Sequence, residues 1–107
     1  MRRRDFLYGL SAPVVKDLPL GREGTRAYVG TYDFGVYPLQ IKEEDGRLKA
    51  HAGLGRPPYT LSHQGGHVFV AREEPDAIRL TFSLRGGRAD KLLFRVASMH
   101  WYAERAG

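Results

Sequence analysis

Arg79-Leu80-Thr81-Phe82-Ser83-Leu84-Arg85 alternates without a break. Ile78, Leu80, Phe82 and Leu84 fall on one side, and Arg79, Thr81, Ser83 and Arg85 on the other. Successive side chains of a strand point to opposite faces of the pleat, so this period of two predicts an antiparallel strand with one face buried. Leu92-Phe94-Val96 and Met99-Trp101-Ala103 repeat the pattern. Turn signals separate the alternating runs. Asp45-Gly46 is a two-residue hairpin turn that needs positive φ, and Gln64-Gly65-Gly66 and Arg85-Gly86-Gly87-Arg88 punctuate the later strands.

The result is eight short strands, near 27–34, 37–43, 47–51, 57–61, 67–71, 77–85, 90–97 and 100–105. Short connections make sequence neighbours pair in space, and a meander of this length removes its edges by closing. The predicted fold is therefore all-β: an antiparallel meander closed into a small barrel, preceded by a short N-terminal helix or arm. Pro57-Pro58 cannot sit in a central ladder and is expected at a strand start or corner. Residues 1–22 read as arm and linker, and residues 23–107 as the barrel domain. At 107 residues the chain is one domain, large enough to bury a core without staples.

YVGTYDFG, residues 28–35, places Tyr28, Gly30, Tyr32 and Phe34 on one face of the first strand. A glycine between two tyrosines lets another group approach the backbone closely. The alternative is an aromatic cluster on which a ligand stacks. Trp101 is expected to be largely buried beside Leu80, Phe82 and Phe94, since all four lie on the apolar faces of the last three strands.

The net charge of +5 is concentrated in the arm, where Arg2, Arg3, Arg4, Lys16 and Arg22 face only Asp5 and Asp17. The arginines beyond it are interspersed with acids, and Arg56, Arg72, Arg79 and Arg95 form no run, which argues against a nucleic-acid partner. Arg3-Arg4-Asp5-Phe6-Leu7 matches the core of a twin-arginine export signal, but the apolar run from Leu7 to Val15 is broken by Pro13 and no small-residue cleavage site follows. An amphipathic helix ending near Ser11, then a linker, is the simpler reading. No run approaches the ~20 apolar residues of a membrane helix, so a soluble chain is expected.

The cysteine count is zero, which excludes disulfides and thiolate metal sites. His63 and His67 have the spacing of a zinc pair on a helix, but Gly65-Gly66 between them predicts a hairpin instead, and a third ligand would have to come from His51, Asp45 or Glu74. No metal and no cofactor are expected.

A recurring order of landmarks runs through the chain. It comprises Gly30-Thr31-Tyr32, then Asp45-Gly46-Arg47-Leu48, Leu61 followed by Phe69, Phe82 leading to Gly87-Arg88 and Leu92, and Ala103-Glu104-Arg105. In this it resembles the lipocalin-like domain appended to the C-terminus of serine hydrolases related to β-lactamases and D-alanyl-D-alanine carboxypeptidases. Asp17-Leu18-Pro19-Leu20 is similar to the linker that joins the two, so the resemblance spans roughly residues 15–107. It implies a noncatalytic accessory module, a periplasmic or extracellular setting, and a partner that is either a β-lactamase-like hydrolase domain or another copy of the chain.

The residues themselves carry no such catalysis. These hydrolases need a serine with lysine three residues on, a Tyr/Ser-x-Asn element and a third element such as His-x-Gly. None of Ser11, Ser62, Ser83 and Ser98 has the lysine, and the chain holds no asparagine. His63-Gln64-Gly65 imitates the third element alone. An enzyme is not expected. Two further readings stay open: a lipocalin-like carrier of a small apolar ligand, and a barrel binding single-stranded nucleic acid. Candidate ligand or interface residues are Tyr28, Tyr32, Phe34, Tyr37, Tyr59 and Trp101, with Phe6 and Tyr8 on the arm, which could plug an open barrel end or pack on another chain.

Overall fold

The computed structural model describes residues 15–35, 38–53 and 55–106. Within these lie one helix, α1 (Gly21–Arg26), and eight strands: β1 (Gly30–Asp33), β2 (Pro38–Glu44), β3 (Arg47–His51), β4 (Tyr59–Gly65), β5 (Val68–Ala71), β6 (Ile78–Arg85), β7 (Arg88–Val96) and β8 (Met99–Arg105). Each strand pairs antiparallel with the next, and β8 returns to β1, so the sheet is a closed barrel. The meander expected from the alternation is the one observed. Asp45 and Gly46 turn the β2–β3 hairpin with φ of 55° and 79°, as a two-residue turn with both central residues left-handed requires. Pro57-Pro58 immediately precede β4.

Helix α1 was not expected from the sequence. GREGTR has two glycines in six residues and no side-chain cap at its N-terminus, so neither propensity nor capping announces it. Packing stabilises it instead. Leu20 and Ala27, which flank it, pack on the core, Thr25 is buried, and the Ala27 carbonyl accepts from the Ala89 amide at 2.8 Å. Ala89 can face inward because β7 bulges there: Ser83 pairs with Lys91 but Leu84 with Ala89, leaving Asp90 as the extra residue.

The interior is filled by side chains. Tyr28, Phe69 and Phe82 meet with ring centroids 4.9–5.6 Å apart, and Tyr32 joins Phe82 at 5.5 Å. Leu39, Ile41, Leu48, Leu80 and Leu92 surround them, all buried.

Two seams of the barrel are thinly paired. Between β3 and β4 the register holds only Lys49–Thr60 and Ala50–Tyr59. Beyond them the linker occupies the gap. The Leu18 amide donates to the His63 carbonyl at 3.1 Å, and the Gln64 side-chain amide pairs with both backbone groups of Lys16. Asp17 accepts two hydrogen bonds from the Arg47 guanidinium, at 2.7 and 3.0 Å, with Arg72 at 3.6 Å.

The second seam, β1 to β8, registers only Tyr32–Arg105 and Asp33–Glu104. Here Arg105 turns inward. Its two terminal nitrogens donate to the carbonyls of Val29 and Ala89, and its guanidinium carbon lies 6.0 Å from the Tyr32 ring centroid. A Cβ at Gly30 would meet that carbon at 2.8 Å. The glycine of YVGTYDFG is thus the floor on which a guanidinium lies.

Three outcomes follow. Phe82→Ala should cost about 3–5 kcal/mol, the usual loss for a buried phenylalanine; a urea-melt change below about 1 kcal/mol would place that face in solvent. Gly30→Ala should destabilise by about 1–3 kcal/mol, because displacing the guanidinium leaves two part-buried carbonyls unpaired. In an Arg105→Ala background the same substitution should cost much less, and strict additivity in that cycle would show that the two positions are not coupled. The hydrogen bonds from Arg47, offset in part by desolvation, hold the Asp17 carboxyl below its ordinary value. A depressed folded-state value means stability that is present above the unfolded value and lost as pH falls through the folded one. Asp17→Asn should therefore lower the melting temperature at neutral pH by the equivalent of about 0.5 kcal/mol, small because the pair is partly exposed and screened, and the gap from wild type should close in acid below the aspartate range. A gap that persists there would assign the effect to something other than the carboxylate.

Candidate functional site

In a meander the turns alternate between the two ends. One end carries the β2–β3, β4–β5 and β6–β7 hairpins, and the linker with α1 lies over it: Leu18, Leu20 and Thr25 line a 260 Å³ cleft together with Arg47, Leu48, Leu61 and Phe69. Two histidines sit at this end. His63 stacks on Phe69 at 4.9 Å and its Nε2 bonds the Gly66 carbonyl at 3.0 Å, which places a proton on that nitrogen. His67, across the hairpin, meets the Tyr28 hydroxyl at 2.8 Å through Nδ1. The strand geometry gives each imidazole its own partner, and among the described residues no group of three potential metal ligands comes together.

Tyr28 and Tyr32 belong to the core. The Tyr32 hydroxyl donates to the Tyr28 carbonyl at 2.7 Å, and burial pushes its pKa up to about 12 against the opposing influence of Arg105. Burial also raises that of Tyr28. Both rings are neutral across the physiological range, fixed by packing and by one hydrogen bond each.

The opposite end is the candidate site. Phe34 leaves β1 with its ring 5.7 Å from Phe94, and Phe94 in turn lies 6.3 Å from Trp101, its register partner on β8. Phe94 is buried, whereas Trp101 is 38 % exposed and Met99, on the same side of β8, is 57 % exposed. The expectation that Trp101 is largely buried is therefore corrected; of its expected neighbours, Phe94 makes a ring contact with it, and among the described residues Phe82 does not. The cause is the length of β1. Its registered pairing with β8 covers only Glu104 and Arg105, so among the described residues no strand covers the Met99–Ala103 half of β8 on that flank. Tyr102, which faces outward, is 73 % exposed. Tyr59 is half-buried against the core where β4 begins. Phe6, Tyr8 and Tyr37 lie outside the described residues.

The site that emerges is a mouth framed by Phe34, Phe94, Trp101 and Met99. Of the eight aromatics singled out from the sequence, it brings together two. Phe94 and Met99 were legible as strand residues but not as mouth residues, since that depends on where β1 ends.

Trp101 is the only tryptophan, so its emission reports this mouth alone. The free protein should emit at a red-shifted, water-exposed wavelength and be quenched efficiently by iodide. Blue-shifted, quencher-resistant emission would bury the ring and close the mouth.

Comparison with family models, with curated proteins and with solved structures returned no match for this chain.

Proposed function

We propose that the chain is a noncatalytic β-barrel interaction domain, of the accessory kind appended to β-lactamase-related serine hydrolases. The observation that carries this reading is the exposed Met99–Trp101 pair beside the buried Phe94. Interface anchors are enriched in tryptophan, methionine and aromatics, and a tryptophan about two-fifths exposed above a packed floor is a ready-made anchor. The filled interior favours contact at the mouth over carriage of a ligand within the barrel, because the rings of Tyr28, Phe69 and Phe82 already pack there. The lack of asparagine and of any serine followed by lysine at the third position supports a noncatalytic role.

The test has two arms. A fluorescent penicillin, which acylates the nucleophilic serine of such hydrolases, should leave the chain unlabelled; stoichiometric labelling would overturn the noncatalytic half. A penicillin-binding-type hydrolase domain added in trans should shift Trp101 emission to the blue, and Met99→Ser should weaken that association about tenfold or more while leaving the melting temperature nearly unchanged. Emission that does not move at saturating hydrolase would overturn the interaction half.

A further inference from the structure

The charge of the barrel is not spread as its sequence order suggests. From Ile78 to Arg105 there are six basic residues (Arg79, Arg85, Arg88, Lys91, Arg95 and Arg105) and two acidic ones (Asp90 and Glu104). Arg105 is turned into the seam, and the other five basic residues are exposed. The registers then bring some of them side by side. Arg79 pairs with Arg95, and Arg95 pairs with His100, so one row across the outer face of β6, β7 and β8 holds two arginines and a histidine. The next row is Thr81, Leu93 and Tyr102, and the next is Ser83, Lys91 and Glu104. Leu93, Arg95, His100 and Tyr102 line a shallow depression of about 440 Å³ on this face.

Like charges set directly opposite across strands repel, and a fold tolerates such a row at a cost unless something anionic lies on it. Asp76 lines a cleft with Arg79 and Arg95, but among the described residues neither arginine has a carboxylate within ion-pair distance. The Arg95 Nε donates to the Ala97 carbonyl at 3.1 Å, which leaves its terminal nitrogens without a hydrogen-bond partner among the described residues. Beside this cationic row stands Tyr102, 73 % exposed, its ring edge-on to His100 at 5.8 Å. A cationic row next to a row with an exposed aromatic and an aliphatic side chain offers phosphate contacts along one side of a stacking platform, while the row beyond it sets Lys91 opposite Glu104. Charge and stacking in that arrangement fit a flexible chain of phosphates whose bases are unpaired.

We infer that the outer face of β6–β8 binds single-stranded nucleic acid, with Arg79 and Arg95 on phosphates and Tyr102 stacking a base. The inference goes beyond the reading of the barrel as a hydrolase-linked interaction domain. It names a second partner for a second face, since Tyr102 points away from the mouth that Trp101 frames.

Fluorescence anisotropy with the full chain and a labelled oligo-dT about 15 nucleotides long tests it. Binding should weaken steeply as salt rises from about 50 to 200 mM, with a log–log slope of about −0.7 for each phosphate neutralised. The double variant Arg79→Ala/Arg95→Ala should bind about tenfold more weakly or worse and lower that slope by about one to two. Tyr102→Ala should weaken binding about five- to hundredfold with little change in slope. Arg56→Ala, on an exposed loop outside this face, should do neither. No variant should melt measurably below wild type, since these side chains are exposed and losing the Arg79–Arg95 repulsion relieves the fold. Absence of binding at the lowest salt would overturn the inference. So would binding that all these variants retain, which would assign it to the arginines of residues 1–14. Equal affinity for a duplex with no loss in Tyr102→Ala would overturn the assignment to single strands, and capture of anionic lipid vesicles without oligonucleotide binding would make the partner a membrane surface. Each failure leaves the hydrolase-dependent Trp101 shift untouched, so it is distinguishable from failure of the interaction-domain reading itself.

Discussion

A guanidinium lying on a glycine holds the barrel shut. Closing a sheet requires its first and last strands to meet, and here they meet over two registered residue pairs. Arg105 supplements this seam. Its side chain donates to Val29, just before β1, and to Ala89 at the β7 bulge, while the Ala106 amide reaches the Thr31 carbonyl at 2.7 Å. One side chain therefore ties three parts of the chain: the entry to the first strand, the bulge of the seventh and the end of the eighth. The arrangement is possible only because Gly30 has no Cβ to occupy the space. It also relies on the bulge, which turns the Ala89 amide to Ala27 and its carbonyl to Arg105.

The β3–β4 seam is solved by a different arginine and a different piece of chain. Arg47 reaches the Asp17 carboxylate, and the linker around it lies along the unpaired half of β4. Both solutions lie at the end of the barrel where the glycine hairpins turn and where α1 sits. That end is thereby closed by the chain itself. The far end has no equivalent among the described residues, and the exposed aromatics gather there. The asymmetry is what makes one end of this barrel a candidate for contact with another molecule.

How far the sequence foretells this depends on the range of the interaction that decides each feature. Strand number and order follow from period-two runs such as 78–85 and from Asp45-Gly46, both local signals, and both are observed. Helix α1 was missed because its stabilising contacts, Thr25 and its flanks Leu20 and Ala27 on the core, are tertiary and its composition is poor for a helix. Trp101 was misplaced for the same kind of reason. The alternation of Met99, Trp101 and Ala103 correctly puts them on one side of β8, but only Ala103 lies low enough in the barrel to be buried. Alternation reports the side of a sheet, whereas burial also needs a neighbour to cover it, and β1 ends too early to do so. The close approach at Gly30 was legible, but not the identity of the approaching group, which lies 75 residues further along the chain.

Charge shows the same limit most sharply. Read along the chain, Arg79 and Arg95 are sixteen residues apart and belong to no cluster, and the barrel looks nearly neutral. Read across the sheet they are direct neighbours, with His100 next in the row. Residues 23–77 hold six basic and eight acidic side chains, so the positive excess of the barrel belongs to its last three strands. Linear spacing is therefore a poor guide to electrostatic patches in a meander, because hairpin pairing folds distant positions onto one another at strand spacing, ~5 Å. The consequence for this chain is that β8 serves two surfaces at once. Its inward side presents Trp101 and Met99 at the mouth, and its outward side presents His100 and Tyr102 beside the arginine row. Because consecutive side chains on one strand point opposite ways, the two surfaces can be altered independently by substitutions one residue apart.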